Sequence, residues 1–114
     1  MIKHIDSIET FDKEISTGLK VVDFYADWCG PCRALGSELE EYNESYPEVT
    51  ILKVNCDDFT ELASRYMIYS IPHMVIYVDG IKRGEHTGLL SQEALERFLN
   101  SALGILLLKF ESSI

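Results

Sequence analysis

Long apolar runs, basic residues and cysteines are all scarce in this chain of 114 residues. Nothing in it approaches the roughly 20 apolar residues that a membrane-crossing helix needs. Its first segment, "MIKHIDSIETFDKEI", carries charges every few residues and has no apolar stretch of signal-peptide length. A cytoplasmic protein is therefore expected, although a mature exported protein would read the same way. Lys and Arg number 10 against 19 Asp and Glu, a net charge of −9 with a pI near 4.6. Such a surface repels phosphate backbones, which argues against nucleic acid as a partner. It also keeps a small protein soluble, and that plainer reading is sufficient. There are only three cysteines, with no second CxxC and no HxxxH pair, so a zinc site would lack half its ligands. No repeat, linker or low-complexity tract divides the chain. A single domain over 1–114 is expected, with an apolar extension from about 104. A chain of this length buries roughly two thirds of its unfolded surface, so it needs neither metal nor disulfide to fold.

What is present alternates. "MIKHI" reads as a short strand. Asp6 or Ser7 caps a helix to about Ser16, with Ile8, Phe11 and Ile15 at helical spacing, and Gly18 closes it. "LKVVDFYA" is β-branched and aromatic, the pattern of a buried strand. "CRALGSELEEYNESY" sets Ala34, Leu35, Leu39 and Tyr42 on one helical face. "VTILKVN" is a second buried strand, and "TELASRYM" a short helix. "HMVIYV" and "IKRGEHTG" flank Asp79-Gly80, a hairpin turn. Ser91 caps a last helix with Leu95, Phe98, Leu99, Ala102 and Leu103 on one face. This order implies an α/β fold, a mixed sheet with helices on both faces. Four apolar residues, Ile105 to Leu108, then follow Gly104. The expectation is that the helix continues past Gly104 and packs additional surface, with a self-association patch as the alternative.

The chemistry concentrates in "DWCGPC". Cys29 ends a strand and opens a helix, where unpaired backbone N–H groups stabilise a thiolate. Cys32 lies in the first turn, within reach of Cys29, and Pro31 fits there because a first-turn proline gives up no helical hydrogen bond. A metal site would need two more ligands, yet Cys56, His73 and His86 are scattered singletons. A structural staple of so small a ring removes little unfolded-state entropy. A redox pair outweighs both. Asp23 inside "KVVDFYA" and Lys53 inside "TILKVN" are two further oddities. A buried carboxylate is costly, and the two charges are expected to face each other across adjacent strands. The plain alternative for each is an edge or solvent-facing residue.

"VVDFYADWCGPCR", with "SIP" about forty residues later, resembles the thioredoxin family, and the resemblance covers about residues 1 to 103. It implies the thioredoxin fold, a central mixed sheet of about five strands flanked by about four helices. It also implies reduction of protein disulfides by dithiol–disulfide exchange at Cys29 and Cys32. The Gly-Pro dipeptide between the cysteines favours a reductant. Asp23 matches the family's buried aspartate, implied to take the proton from Cys32, with Lys53 as its partner. Ile71-Pro72 matches the family's cis-proline loop, and Gly88 a glycine of the same groove. With the hydrophobic rim expected at Trp28, and with Gly30 and Pro31 between the cysteines, these residues are implied to hold the substrate; Trp28 could otherwise be core. The implied partners are disulfide-containing proteins and a flavin-dependent thioredoxin reductase. No bound cofactor or metal is implied, and a monomer is expected.

Three departures from the family stand out. His73 replaces the usual threonine after the cis-proline, so a titratable ring near a thiolate is one reading and a tolerated strand residue the other. Ser37, preceded by Gly36, replaces a proline in the second helix, so any kink would rest on the glycine. Cys56 stands where an apolar residue is usual, and it reads as a small hydrophobe or as a regulatory thiol. Two other functions stay open at this point. One is a non-enzymatic binding module that uses the same groove; the other is an oxidase or isomerase specialised to one client.

Overall fold

The computed structural model describes residues 1–105. β1 (Ile2–His4), α1 (Ile8–Ile15), β2 (Leu19–Tyr25), α2 (Gly30–Ser45), β3 (Thr50–Asn55), α3 (Thr60–Arg65), β4 (His73–Val78), β5 (Ile81–Thr87) and α4 (Gln92–Leu103) follow in the order that the sequence pattern implies. Local chemistry starts two of the helices. Ser7 Oγ accepts the Thr10 N–H at 3.0 Å, and Ser91 Oγ accepts the Ala94 N–H at 3.2 Å. Each cap satisfies a donor that has no partner inside its helix.

The five strands form one sheet in the order β1-β3-β2-β4-β5. β1, β3 and β2 are parallel, whereas β4 runs antiparallel to both β2 and β5. β2 therefore sits in the middle, flanked on both edges and covered on both faces, which is why its sequence is almost continuously apolar. Successive β2 side chains alternate between two cores. Val21 joins Ile51, Met74 and Ile76 beneath α2 and α4. Val22 and Phe24 join Leu52, Val54, Val75 and Tyr77 beneath α1 and α3. The β4–β5 hairpin turns on Asp79 and Gly80, at φ 48° and 82°, the left-handed pair that such a tight turn requires.

Two sequence expectations need correction. The buried face of α2 is Cys32, Leu35, Leu39 and Tyr42, whereas Ala34 is exposed. Spacings of three, four and three keep one stripe, and Ala34 falls about 100° off it. Nor does α4 continue past Gly104. That residue is left-handed at φ 72°, its N–H bonds to the Ser101 carbonyl at 3.3 Å, and the Ile105 N–H bonds to the Asn100 carbonyl at 2.9 Å. This is a Schellman ending, in which a glycine without Cβ turns the chain out of the helix. Ile105 folds back against the core under α4. The rest of the apolar run lies outside the described residues. Among the described residues, no helix is long and apolar enough to cross a membrane.

Candidate active site

β2 delivers the chain to the site. Its carboxyl end passes through Ala26, Asp27 and Trp28, and Cys29 then caps α2 in extended conformation, at φ −88° and ψ 111°. Cys29 Sγ accepts the Cys32 N–H at 3.2 Å. The sulfur thus takes the place that a serine or aspartate oxygen occupies in an ordinary helix cap. Gly30 and Pro31 fill the first turn, and the two cysteines are joined in a disulfide with Cα atoms 5.2 Å apart. Both are buried, packed with Ala26, Tyr25 and Ile71. The helix forms around the bond without being opened by it.

A second segment closes over the pair. Ile71-Pro72 is a cis peptide, and the Ile71 carbonyl oxygen lies 3.9 Å from Cys29 Sγ. The Pro72 carbonyl accepts the Gly88 N–H at 2.8 Å, which draws the end of β5 alongside. Gly88 has φ 104°, and nothing lies within 4 Å of the position that a Cβ would take. Trp28 is 71% exposed, so it is rim and not core. Its indole N–H donates to Asp57 at 3.0 Å. The sequence-implied groove residues Trp28, Gly30, Pro31, Ile71, Pro72 and Gly88 therefore converge on one surface around the disulfide.

Beneath the pair lies a buried charge. Asp23 and Lys53 are register partners on β2 and β3. The Asp23 side chain is fully buried, and Lys53 Nζ sits 3.0 Å from its Oδ2. The contact is charge to charge: neither carboxylate oxygen accepts a well-formed hydrogen bond. Burial pushes the Asp23 carboxyl above the usual carboxylate range, while Lys53 pulls the other way. The Lys53 ammonium also lies 4.4 Å from the centre of the Tyr25 ring, a cation–π contact. A Cβ on Gly36 would come within 3.3 Å of that ammonium. Gly36 thus gives room to Lys53 within an unbroken α2. A cavity of about 230 Å³, lined by Cys32, Gly36, Ser37, Glu40, Tyr25 and Lys53 among others, runs from the inner cysteine to the lysine.

Tyr25 and Gly36 were not legible as site residues from the sequence. The available signal was the strand period, which puts Tyr25 on the same face as Asp23. His73 turns away from the disulfide. Its ring lies on the α1/α3 side near Phe24, with Nδ1 at 2.6 Å from Thr87 Oγ1 and Nε2 at 3.0 Å from a Glu85 oxygen. An ionised carboxylate only accepts, so Nε2 carries the proton. Cys56 is half-buried against the apolar core under α3. Burial, then the negative charges of Asp57 and Asp23, push its thiol up to about 11, so it stays protonated at neutral pH.

A disulfide that can open and reclose within the first turn of a standing helix serves one class of chemistry, thiol–disulfide exchange. Comparison with known proteins agrees and narrows the class. Residues 3–101 match the thioredoxin family model. A thioredoxin of Chlamydia pneumoniae is 42% identical over 100 residues, covering 88% of this chain and 97% of that protein. Among solved structures, a mutant thioredoxin from Halobacterium salinarum superposes with a TM-score of 0.81 at 30% identity, covering 90% of each chain. The oxidised thioredoxin of Plasmodium falciparum gives 0.80 at 30% identity, covering 90% of this chain and 99% of that one.

The chain belongs to the thioredoxin family. It is a protein-disulfide reductase that works by dithiol–disulfide exchange at Cys29 and Cys32. Membership brings the family's two kinds of partner, disulfide-bearing proteins and a thioredoxin reductase.

Proposed function

We propose that Cys29 is the attacking thiol and Cys32 the resolving one. The supporting observation is their unequal setting: Cys29 faces the Ile71 carbonyl and the groove, whereas Cys32 sits behind it over the cavity that leads to Lys53. The Cys29 thiolate, held by the helix start and the Cys32 N–H, attacks one sulfur of a client disulfide, and the other client sulfur leaves as a thiolate. Asp23, paired with the Lys53 that lines the cavity behind Cys32, accepts the Cys32 proton. The Cys32 thiolate then attacks Cys29 Sγ and expels the second client thiolate. The client gains two electrons and the protein closes its Cys29–Cys32 disulfide. The electron pair passes from sulfur to sulfur, so no bound cofactor is called for. Lys53 works against burial, which raises the Asp23 carboxyl above the usual carboxylate range. The groove of Trp28, Gly30, Pro31, Ile71, Pro72 and Gly88 receives the client as an extended segment on exposed backbone. We place the protein in a reducing compartment, the cytoplasm, as a monomer, because the working form is the dithiol.

The test is a pair of substitutions. Cys29→Ser abolishes turnover of protein disulfides. Cys32→Ser accumulates covalent client adducts, detected by mass on a non-reducing gel and released by a small thiol. Failure of Cys32→Ser to form adducts, in a protein whose wild type turns over, overturns the division of roles.

A further inference from the structure

Two helices of this protein end in the same way with different residues. α4 ends on left-handed Gly104. α3 ends with the Met67 N–H bonded to the Ser64 carbonyl at 3.0 Å and the Ile68 N–H bonded to the Ala63 carbonyl at 2.9 Å, the same Schellman pair. Its left-handed residue is Met67, at φ 52°. Glycine takes that conformation freely, whereas a side chain with Cβ is strained in it. Met67 gains little burial in return, for it is 68% exposed. Two residues on, Tyr69 is 88% exposed. A strained backbone that presents an exposed apolar side chain is the pattern of a functional position.

The placement of these two side chains supplies the function. Seven large apolar residues are exposed among those described, and four of them, Trp28, Met67, Tyr69 and Leu89, stand next to or a few residues along the chain from Cys29, Ile71 or Gly88. Trp28 precedes Cys29. Met67 and Tyr69 lead into Ile71, which packs on the cysteines. Leu89 follows Gly88, which is bonded to Pro72. Tyr69 thus stands two residues, and Met67 four, from the residue that packs on the disulfide.

We infer that Met67 and Tyr69 are specificity-determining residues, a second wall of the groove that selects clients with a bulky apolar side chain within a few residues of the attacked cysteine. This rests on the reading of Cys29 as the attacking thiol. A thioether on a flexible stem adapts to different apolar partners, and an exposed tyrosine offers large contact area with few torsions to freeze. Apolar anchors of this kind discriminate by about tenfold each.

The experiment compares two synthetic disulfide-bonded peptides, identical except for leucine or serine two residues from the attacked cysteine, with 2-hydroxyethyl disulfide as a small control. Wild type is expected to favour the leucine peptide by about tenfold in kcat/KM. Met67→Gly with Tyr69→Ala removes that preference and leaves turnover of 2-hydroxyethyl disulfide unchanged. Met67→Gly alone raises the melting temperature by about 3 °C while weakening the preference, because the strain is relieved. Retention of the preference in the double variant overturns the proposal, as does an equal loss on the small disulfide. A wild-type dimer that the double variant turns into a monomer overturns it as well, since the patch would then serve a second copy. Turnover of all three disulfides by Cys29→Ser would instead bring down the underlying reading, and this one with it.

Discussion

The two faces of the sheet are built differently. Under α1 and α3 the buried side chains are apolar, apart from the Tyr66 and Tyr77 hydroxyls bonded to each other at 2.7 Å. Under α2 and α4 lie both fully buried polar side chains of the described residues, Asp23 and Asn100. Asp23 lies on the central strand that delivers the chain to Cys29. Asn100 accepts the Tyr42 hydroxyl at 2.7 Å, tying α4 to the helix that carries the disulfide. An apolar face can be packed for stability alone. The other face gives up some of that stability to bury a carboxylate beneath the disulfide and to tie α4 to the helix that carries it.

Cutting into the plain face is the coarsest way to break this contrast. Leu62→Ala on α3 leaves a cavity in a fully buried apolar cluster and should cost about 3–4 kcal/mol. Denaturant unfolding reads the loss, while turnover per folded molecule stays at the wild-type value. A parallel loss of turnover would mean that the two faces are not functionally separate.

Asp23→Asn sharpens the contrast, because it should move stability and rate in opposite directions. The folded-state pKa of Asp23 is raised by burial. The neutral acid is therefore the form that folding favours, and the penalty grows as pH rises from the ordinary carboxylate range through the raised pKa. Lys53 borders the water-accessible cavity, so its charge remains solvated when the aspartate is gone. Asp23→Asn is expected to stabilise the protein by about 2 kcal/mol at neutral pH, with the gain vanishing near pH 3. The same variant slows the resolving step by roughly a hundredfold near neutrality, and its rate should recover only as Cys32 itself titrates at higher pH. Stability lost with kinetics unchanged would make Asp23 a structural acid.

The smallest effect belongs to the far end of the polar face. Tyr42→Phe leaves the buried Asn100 carbonyl without its hydroxyl donor and should cost about 1–2 kcal/mol. Thermal unfolding measures it. An unchanged melting temperature would remove the anchoring role given to that bond.

Much of this was legible beforehand because it is local. Caps at Ser7 and Ser91, the Asp79-Gly80 turn and the alternation of strands and helices are set by residues close to one another in the chain. The same holds for "WCGPC", where strand end, helix start and sulfur spacing fall within a few residues. Ala34 departs from the expected stripe because small apolar residues fit either side of a helix, and the stripe is decided by what packs against it. The expected continuation of α4 failed because a glycine can either weaken a helix or end it, and the outcome depends on whether the next residue can bond back and bury itself, as Ile105 does.

His73 and Cys56 have side chains that are reactive in isolation, and what each one meets is set by distant segments. Glu85 and Thr87 on β5 take up both nitrogens of the histidine, and burial keeps the Cys56 thiol protonated. By itself the sequence determined the element order, the redox pair and the presence of two charges in apolar strands, since propensity, capping and side-chain period act over a few residues. Only the tertiary structure decided that those charges meet at 3.0 Å, that Tyr25 and Gly36 surround the ammonium, and that Met67 is left-handed and exposed. Each of these depends on which distant segments the fold brings together, and burial, desolvation and charge pairing act through space, not along the chain.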